Sequence, residues 1–206
     1  MTSSSLPQRS RRPRTQFWLA AVIFLGPFIA AFIVYHWFPE RLPTGRTNYG
    51  RLVDPPLPLP VVAFENAAGK PVGNAGLRGK WRLVYLGSTT CEENCRTRLH
   101  FGRQLWLALN EKRVSLQRVY IAPDAATLAA VRSTLAAEQP DLEWFATGAD
   151  AAPTLKKFFA ASQPDALYLL DPPGNWIMTY EPTIGDDAQQ RDFKGMQKDL
   201  KKLLKL

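Results

Sequence analysis

A strand that leads into a pair of cysteines decides the fold: residues 82–95 read RLVYLGSTTCEENC. The segment 82–86 is apolar enough to form a strand buried in the middle of a sheet. From about Cys91 to Asn110 the sequence predicts a helix, with Cys95, Leu99 and Trp106 on one of its faces. The two cysteines therefore lie where a central strand passes into a helix.

Strands and helices alternate on both sides of this junction. After it, strands are expected at about 115–122 and 142–146, followed by a hairpin of strands at 166–170 and 176–180. Helices are expected at 125–138 and 151–160, and an amphipathic helix covers residues 193–204. Before the junction, residues 61–72 form a short hairpin. This order predicts an α/β fold, a mixed sheet with helices on both faces.

The chain contains only two cysteines, Cys91 and Cys95. On one face of a helix their Cβ atoms lie about 6 Å apart. After a modest rearrangement of the first turn they can form a disulfide, and their two sulfurs can instead bind one metal ion. A helix N-terminus favours the nucleophilic thiolate. Arg96 and Arg98 support that ionisation, whereas the glutamates between the cysteines oppose it.

A purely structural disulfide is the alternative for this pair. In the chain-entropy model, closing so short a loop stabilises a fold by only about 2 kcal/mol. Structural disulfides more often join distant segments. The spacing therefore favours a redox or metal function for Cys91 and Cys95.

A long apolar run lies near the N-terminus. Residues 17–38 carry no acidic or basic side chain except His36, and as a helix they span about 33 Å, enough for a hydrocarbon core of about 30 Å. The run is longer than the apolar part of a signal peptide and no A-x-A site follows it, so we expect an uncleaved anchor. The pair Arg11–Arg12 is only a weak twin-arginine signal.

These features divide the chain into four parts. Residues 1–16 are a basic tail with four arginines and no acid, which should stay in the cytoplasm. Residues 17–38 are the transmembrane helix, 39–60 a linker with six prolines, and 61–206 the folded domain. We expect a single-pass protein of a bacterial inner membrane, with its domain in the periplasm.

The formal charge of +8 comes half from the four arginines of the tail. A second basic cluster lies in the C-terminal helix, on the side opposite its apolar residues, and comprises Lys194, Lys198, Lys201, Lys202 and Lys205. We expect this side to be solvated, with an acidic partner or anionic lipid as the alternative. Nucleic acid is excluded as a partner outside the cytoplasm.

Several motifs around the cysteines resemble those of the Sco/SenC proteins, and the similarity covers residues 61–206. The matching residues are Gly79–Trp81, Val84–Gly87, the Cys-x-x-x-Cys pair, Tyr168–Pro172 and Gly174. The resemblance implies a thioredoxin-like fold and a role in assembling the dinuclear copper site of cytochrome c oxidase. Proteins of that family carry copper, reduce cysteines of the target, or do both. The implied partners are cytochrome c oxidase subunits or other oxidase assembly factors.

Two departures from the Sco/SenC pattern weaken copper binding. A proline follows each cysteine in that family, where this chain has Glu92 and Arg96. The family's copper-ligand histidine falls at Gln163, counted back from Gly174. Two thiolates alone can hold Cu(I), but they hold Cu(II) poorly without an imidazole.

No other side chain is an obvious substitute for that histidine. His100 lies five residues after Cys95, about 140° around the helix, and is expected to pack or to face water. His36 belongs to the apolar run. Met178 is a conceivable soft ligand, but we expect it in the core.

Three hypotheses follow for the cysteine pair. In the first, the protein is a thiol–disulfide oxidoreductase: Cys91 attacks a disulfide of the partner and Cys95 resolves the mixed disulfide, with Pro164 at the place of the cis-proline of thioredoxin folds. In the second, Cys91 and Cys95 hold Cu(I) and deliver it to the oxidase. In the third, the protein is a non-catalytic assembly partner with a structural disulfide.

Overall fold

The computed structural model describes residues 13–37, 48–148, 150–160, 163–183 and 185–204. The chain divides into two units, residues 1–46 and residues 47–206. Each unit is described by itself. The tail residues 1–12, the linker residues 38–47 and Lys205 lie outside the described residues.

The described part of the first unit is one helix, α1, Pro13–Trp37. Within it, Gln16–Trp37 is long and apolar enough to cross a membrane, with a mean hydropathy of 2.5 over its most apolar window and none of that window buried. The helix continues through Pro27, and the ring of His36 stacks on that of Phe32 at 5.6 Å. The predicted span 17–38 thus coincides with the apolar segment Gln16–Trp37 to within one residue at each end, whereas α1 begins four residues before the predicted span.

The second unit is built on a seven-stranded mixed sheet, ordered β1-β7-β6-β3-β4-β5-β2. The strands are β1 Arg51–Pro58, β2 Phe64–Asn66, β3 Trp81–Leu86, β4 Leu116–Ala122, β5 Leu142–Thr147, β6 Leu167–Leu170 and β7 Asn175–Tyr180. Strand β3 lies at the centre, parallel to β4 and antiparallel to β6. The predicted central strand is therefore confirmed.

Four helices flank the sheet: α2 Glu93–Leu107, α3 Ala125–Leu135, α4 Ala151–Phe158 and α5 Asp186–Leu203. Among the described residues, two short 3₁₀ segments, Asn74–Leu77 and Asn110–Ser115, precede β3 and β4. Side chains of each strand alternate between the two faces. Leu83 and Tyr85 of β3 face one core and Val84 the other.

Each face of the sheet carries its own hydrophobic core. The first core is covered by α2, α3 and α5, through Leu99, Leu105, Leu128, Leu135, Met196 and Leu200. The second is covered by α4, through Leu155 and Phe159, which pack with Tyr168 and Trp176. Helices thus lie on both faces of a mixed sheet, and the predicted fold class is confirmed.

One edge strand lies where the sequence predicted a linker. Residues 51–58 pair with β7 in antiparallel register, with a shift between Leu52 and Leu57. The prolines of this segment hide the strand in the sequence, but an edge strand tolerates proline because one side of it needs no hydrogen bonds. Ahead of the strand, the main-chain N–H groups of Tyr49 and Gly50 donate to the buried Asp199 of α5, at 2.7 and 2.9 Å.

Candidate functional site

The cysteines follow the central strand at its carboxyl end. After Leu86, Gly87 extends the pairing, because its N–H donates to the carbonyl of Ile121 at 2.8 Å. A Cβ at Gly87 would overlap the hydroxyl of Tyr120. Glycine is therefore required at position 87, where β3 passes into the loop that leads to Cys91 and α2.

Cys91 and Cys95 form a disulfide, with their Cα atoms 5.2 Å apart. The expected start of the helix at Cys91 is wrong: α2 begins at Glu93. Glu92 has the extended backbone of an N-cap residue, which places Cys91 in the preceding loop. Cys95 lies in the first helical turn.

The two sulfur-bearing residues differ in exposure. Cys95 is 6% exposed and belongs to the first core. Cys91 is half-buried and only packs against that core. A partner approaching from solvent therefore reaches Cys91 before it reaches Cys95.

The two arginines expected to support a thiolate have other partners. The side chain of Arg96 is 3.9 Å from Glu138, and both side chains are exposed. Arg98 is buried, and its Nε and Nη2 donate to the main-chain carbonyls of Asp165 and Tyr180, each at 2.9 Å. Burial lowers the pKa of Arg98 below its ordinary value, against the opposing effect of nearby carboxylates.

A buried tyrosine ties the loop before β6 to the central strand. The hydroxyl of Tyr85 donates to Oδ1 of Asp165. Burial, and then this hydrogen bond, raise the pKa of Tyr85 above its ordinary value. Asp165 has a φ of 62°, the left-handed conformation that costs most residues energy but that aspartate tolerates better. Arg98 and Tyr85 together thus fix Asp165 in this conformation.

A cleft of about 390 Å³ opens between the start of α2 and the start of α5. Uncharged polar side chains and two prolines supply most of its wall, among them Asn94, Thr97, Gln163, Pro164, Pro182, Thr183 and Gln189. Phe101, Arg98, Asp165 and Asp192 complete it. A second groove of about 480 Å³ shares Thr97, Phe101 and Gln189 with it. Beside the disulfide, the domain therefore offers a trough lined largely by uncharged groups.

The carboxylate of Asp192 in this wall is buried and bonded by two hydroxyls. Tyr49 donates to its Oδ1, and Thr183 donates to its Oδ2 at 2.6 Å. The hydrogen bond to Asp192, together with burial, raises the pKa of Tyr49 to about 12. The segment before β1 is thus bonded directly to the wall of the cleft.

Gln163 is the residue that we expect, from the count back from Gly174, at the position of the Sco/SenC histidine. Both Gln163 and Pro164 are exposed, and they border the 390 Å³ cleft on one side and a hollow of about 310 Å³ with Gly87 and Ser88 on the other. The peptide bond before Pro164 is not cis, since Asp54–Pro55 is the one cis bond among the described residues. The cis-proline prediction for Pro164 is therefore wrong.

Within the described residues, no three or more His, Cys, Asp or Glu side chains are grouped to hold a metal ion. His100 is exposed and lies 3.5 Å from Nε2 of Gln104. Met178 is fully buried in the first core, as expected. If the disulfide is reduced, its two thiolates are the soft donors that fit Cu(I), and the amide of Gln163 adds no imidazole.

Of the polar residues at the candidate site, Tyr85, Asp165 and Asp192 were not predicted from the sequence, and Arg98 was predicted as a cation that favours a thiolate but not as a buried residue. A signal for two of them was present. Tyr85 carries a hydroxyl in a strand whose neighbouring side chains are apolar and buried. Arg98 lies about one turn after Cys95, on the inward side of α2. Their partners, however, are 67 to 82 residues away in the chain.

Comparison with known proteins agrees with this geometry. The family model "Transmembrane-like, thioredoxin-like, C-terminal domain" matches residues 81–206, whereas no curated protein matches the chain. Yeast Sco1 with copper bound is similar at 20% identity and a TM-score of 0.58, covering 74% of this chain and 95% of that one.

Two other solved structures are similar to the chain. Arabidopsis thaliana ScoI with copper bound has 17% identity and a TM-score of 0.55, covering 69% of this chain and 98% of that one. Apo Sco1 from Thermus thermophilus has 17% identity and a TM-score of 0.57, covering 78% and 99%. The resemblance to Sco/SenC proteins is thereby confirmed as a shared thioredoxin-like fold.

Proposed function

The chain belongs to the transmembrane-like, thioredoxin-like C-terminal domain family, and we propose that it is a membrane-anchored, Sco-like thiol–disulfide oxidoreductase in cytochrome c oxidase assembly. The observation that carries the proposal is the asymmetric disulfide at the end of the central strand. Cys91 is half-buried in a loop, whereas Cys95 is buried in the first turn of α2. This is the arrangement that an attacking thiol and a resolving thiol require.

The exchange moves two electrons from the protein to its partner. The Cys91 thiolate attacks one sulfur of a partner disulfide, which forms a mixed disulfide and releases one partner thiolate. The Cys95 thiolate then attacks Sγ of Cys91, which releases the second partner thiolate and leaves the Cys91–Cys95 disulfide. The two protons lost by the protein's thiols are taken up by the partner's thiolates, and a dithiol reductant must return the protein to its reduced state.

The partner by resemblance is the subunit whose cysteines hold the copper site of the oxidase. A peptide of that subunit with its two cysteines oxidised is therefore the test substrate. With the full chain in detergent, Cys95→Ser should accumulate a mixed disulfide through Cys91, visible by intact-mass spectrometry. The matched variant Cys91→Ser should form none, and a mixed disulfide through Cys95 at an equal rate would contradict the assigned roles.

The proposal includes the anchor and its orientation. Residues 1–16 should lie in the cytoplasm and the domain in the periplasm of a bacterial inner membrane, because the tail is basic and α1 is apolar enough to span the bilayer. Protease added to spheroplasts should digest the domain without lysis of the cells. Digestion only after lysis would reverse the orientation.

Delivery of Cu(I) is the second candidate function, and one observation favours it: yeast Sco1 and Arabidopsis ScoI were crystallised with copper bound. Titration of the reduced full chain with Cu(I) against a competing chelator tests it. One-to-one binding that is lost in Cys91→Ser supports a copper carrier, and failure to compete leaves exchange as the function of the dithiol. Gln163→His should add Cu(II) binding if Gln163 occupies the ligand position.

The third hypothesis, a non-catalytic partner, has its own test. If the disulfide is only structural, the double variant Cys91→Ser/Cys95→Ser will still support oxidase assembly in cells. We expect it to fail, because both proposed activities need the thiols.

A further inference from the structure

The last turns of α5 and the 3₁₀ segment 110–115 form one continuous basic surface, which we call the basic pole. Two hydrogen bonds join its parts: Nζ of Lys112 donates to the carbonyl of Lys201 at 2.9 Å, and Nε2 of Gln197 donates to the carbonyl of Ala108 at 3.0 Å. Its cationic residues are Lys112, Arg113, Lys194, Lys198, Lys201 and Lys202. The acidic residues in these segments are Glu111, which is exposed, and Asp199, which is buried.

The basic pole also carries an exposed apolar side chain. Val114 is 71% exposed and follows Arg113, whose guanidinium lies 5.1 Å from the ring of Trp106. Cationic side chains with apolar side chains among them are typical of surfaces that bind at a lipid headgroup interface. The pole therefore has the composition of such a surface.

The connection to the apolar helix is short and enters the domain next to the basic pole. Ten residues, 38–47, separate Trp37 of the apolar helix from Asn48, and a chain of that length spans at most about 40 Å. Directly after them, the N–H groups of Tyr49 and Gly50 are bonded to Asp199, the neighbour of Lys198. The chain thus enters the domain beside α5, the helix that carries most of the basic pole.

We propose that the basic pole docks on the anionic lipid headgroups of the membrane that α1 crosses. The proposal rests on the anchor in the proposed function, but not on the chemistry of the dithiol. The pole contains the residues after the C-terminal end of α2, whereas the disulfide lies at its N-terminal end, about 22 Å away along 15 residues. Docking of the pole turns the disulfide away from the bilayer, toward partners in the periplasm.

The test uses the full chain in nanodiscs of phosphatidylcholine, with and without 30% phosphatidylglycerol. A photo-crosslinking benzoylphenylalanine replaces Val114 or, as a positional control at the disulfide end, the exposed Thr89. We expect lipid adducts at position 114 that depend on phosphatidylglycerol and decrease with salt. At position 89 we expect few adducts in either disc.

Two double variants, each of which removes two positive charges, test the contribution of the lysines to docking. Lys194→Gln/Lys198→Gln removes two charges from the pole, and Lys156→Gln/Lys157→Gln removes two exposed charges from α4. The ratio of docked to undocked domain should fall about fivefold for each lysine removed from the pole and should not change in the α4 variant. Thermal unfolding of both variants checks that the fold is intact.

Three outcomes would overturn the proposal. The first two are equal adducts with and without phosphatidylglycerol, and equal losses of docking in the two double variants. The third is no lipid adduct at position 114, which would indicate that the basic pole binds an acidic protein instead. A chain that does not insert into either disc would refute the anchor itself. Thiol exchange is measured separately, so its failure would leave this inference intact.

Discussion

Arg98 of α2 and Arg118 of β4 are both buried, but their guanidinium groups have different kinds of hydrogen-bond partner. Arg118 is 2% exposed and donates to the carboxylate of Asp141 at 2.6 Å, to the side chain of Gln139 and to the carbonyl of Leu99. Arg98 is 6% exposed, but its two hydrogen bonds go to main-chain carbonyls. Burial lowers the pKa of both arginines.

The difference between the two sites follows their positions in the fold. Asp141 lies at the amino end of β5, where it also accepts from Nε of Arg103 at 2.9 Å, so its cluster is a closed set of ion pairs. Arg98 lies at the disulfide end and borders the cleft. The buried Arg118 thus has a direct carboxylate partner, whereas the buried Arg98 beside the cleft has only main-chain acceptors.

The largest expected effect on stability comes from removing the carboxylate of Asp141, which pairs with Arg103 and Arg118. Asp141→Ala leaves the buried Arg118 without its anionic partner, and we expect a loss of about 3 kcal/mol in the free energy of unfolding, measured by urea denaturation. The control is Glu138→Ala, which removes an exposed carboxylate 3.9 Å from Arg96 and should cost less than about 0.5 kcal/mol. Equal losses in the two variants would contradict the assignment of Asp141 as the structural partner.

The next largest effect on stability is expected from breaking the disulfide. Reduction of Cys91–Cys95 should lower the free energy of unfolding by about 2 kcal/mol, because the bond closes a loop of only a few residues. The double variant Cys91→Ser/Cys95→Ser should reproduce this loss with an unchanged far-UV circular dichroism spectrum. Unfolding upon reduction would contradict this small contribution to stability.

A smaller effect tests the connection between β3 and the loop before β6. Tyr85→Phe removes the donor to Asp165 and should cost about 1 kcal/mol. Tyr120→Phe is its control: Tyr120 stacks on Tyr85 at 5.7 Å, and its buried hydroxyl has no partner among the described residues. That variant should be neutral or stabilising, and a greater loss there than in Tyr85→Phe would contradict the role of the Asp165 hydrogen bond.

The smallest effect is a dependence on pH. Burial tends to raise the pKa of Asp141, but the hydrogen bonds from Arg103 and Arg118 outweigh it and hold that pKa below its ordinary value. Its contribution to stability is therefore full above the ordinary aspartate pKa and is lost as the pH falls toward the folded-state value. At about pH 4, close to the ordinary aspartate pKa, the loss is at most about 0.4 kcal/mol, or RT ln 2.

Denaturation at several pH values, with Asp141→Ala as the reference, measures this contribution. Asp199 should behave in the opposite sense, because burial raises its pKa. Its ionised form costs stability at neutral pH, and protonation relieves that cost as the pH falls. A wild-type protein that gains stability relative to Asp141→Ala on acidification would contradict the sign given for Asp141.

Sequence patterns predicted those features that depend on local periodicity. The continuous apolar segment predicted β3, and the helical spacing of apolar residues predicted the amphipathic α5; the structure confirms both. Strand β1 was missed because its prolines remove the usual strand signal. The start of α2 was placed at Cys91 because spacing alone does not reveal that Glu92 is an extended N-cap.

The candidate site was predictable only in its cysteines. Cys91 and Cys95 stand out by their chemistry and by their place after the central strand. The partners of Arg98 and Arg118 come from elements far apart in the chain, and no local pattern records such pairings. The cleft is likewise formed by α2, the loop before β6 and α5, which meet only in the folded domain.

The carboxylate of Asp199 also imposes an order on how the protein is made. It receives the N–H of Tyr49 across 150 positions of the chain, so α5 leaves the ribosome long after the segment that precedes β1. At about 5–20 residues per second, the first strand waits about 8–30 s for this carboxylate. Until then the segment that precedes β1 has no buried acceptor. A nascent chain that stalls before α5 should therefore carry a loose first strand, which makes the folding of α5 the step that completes the domain.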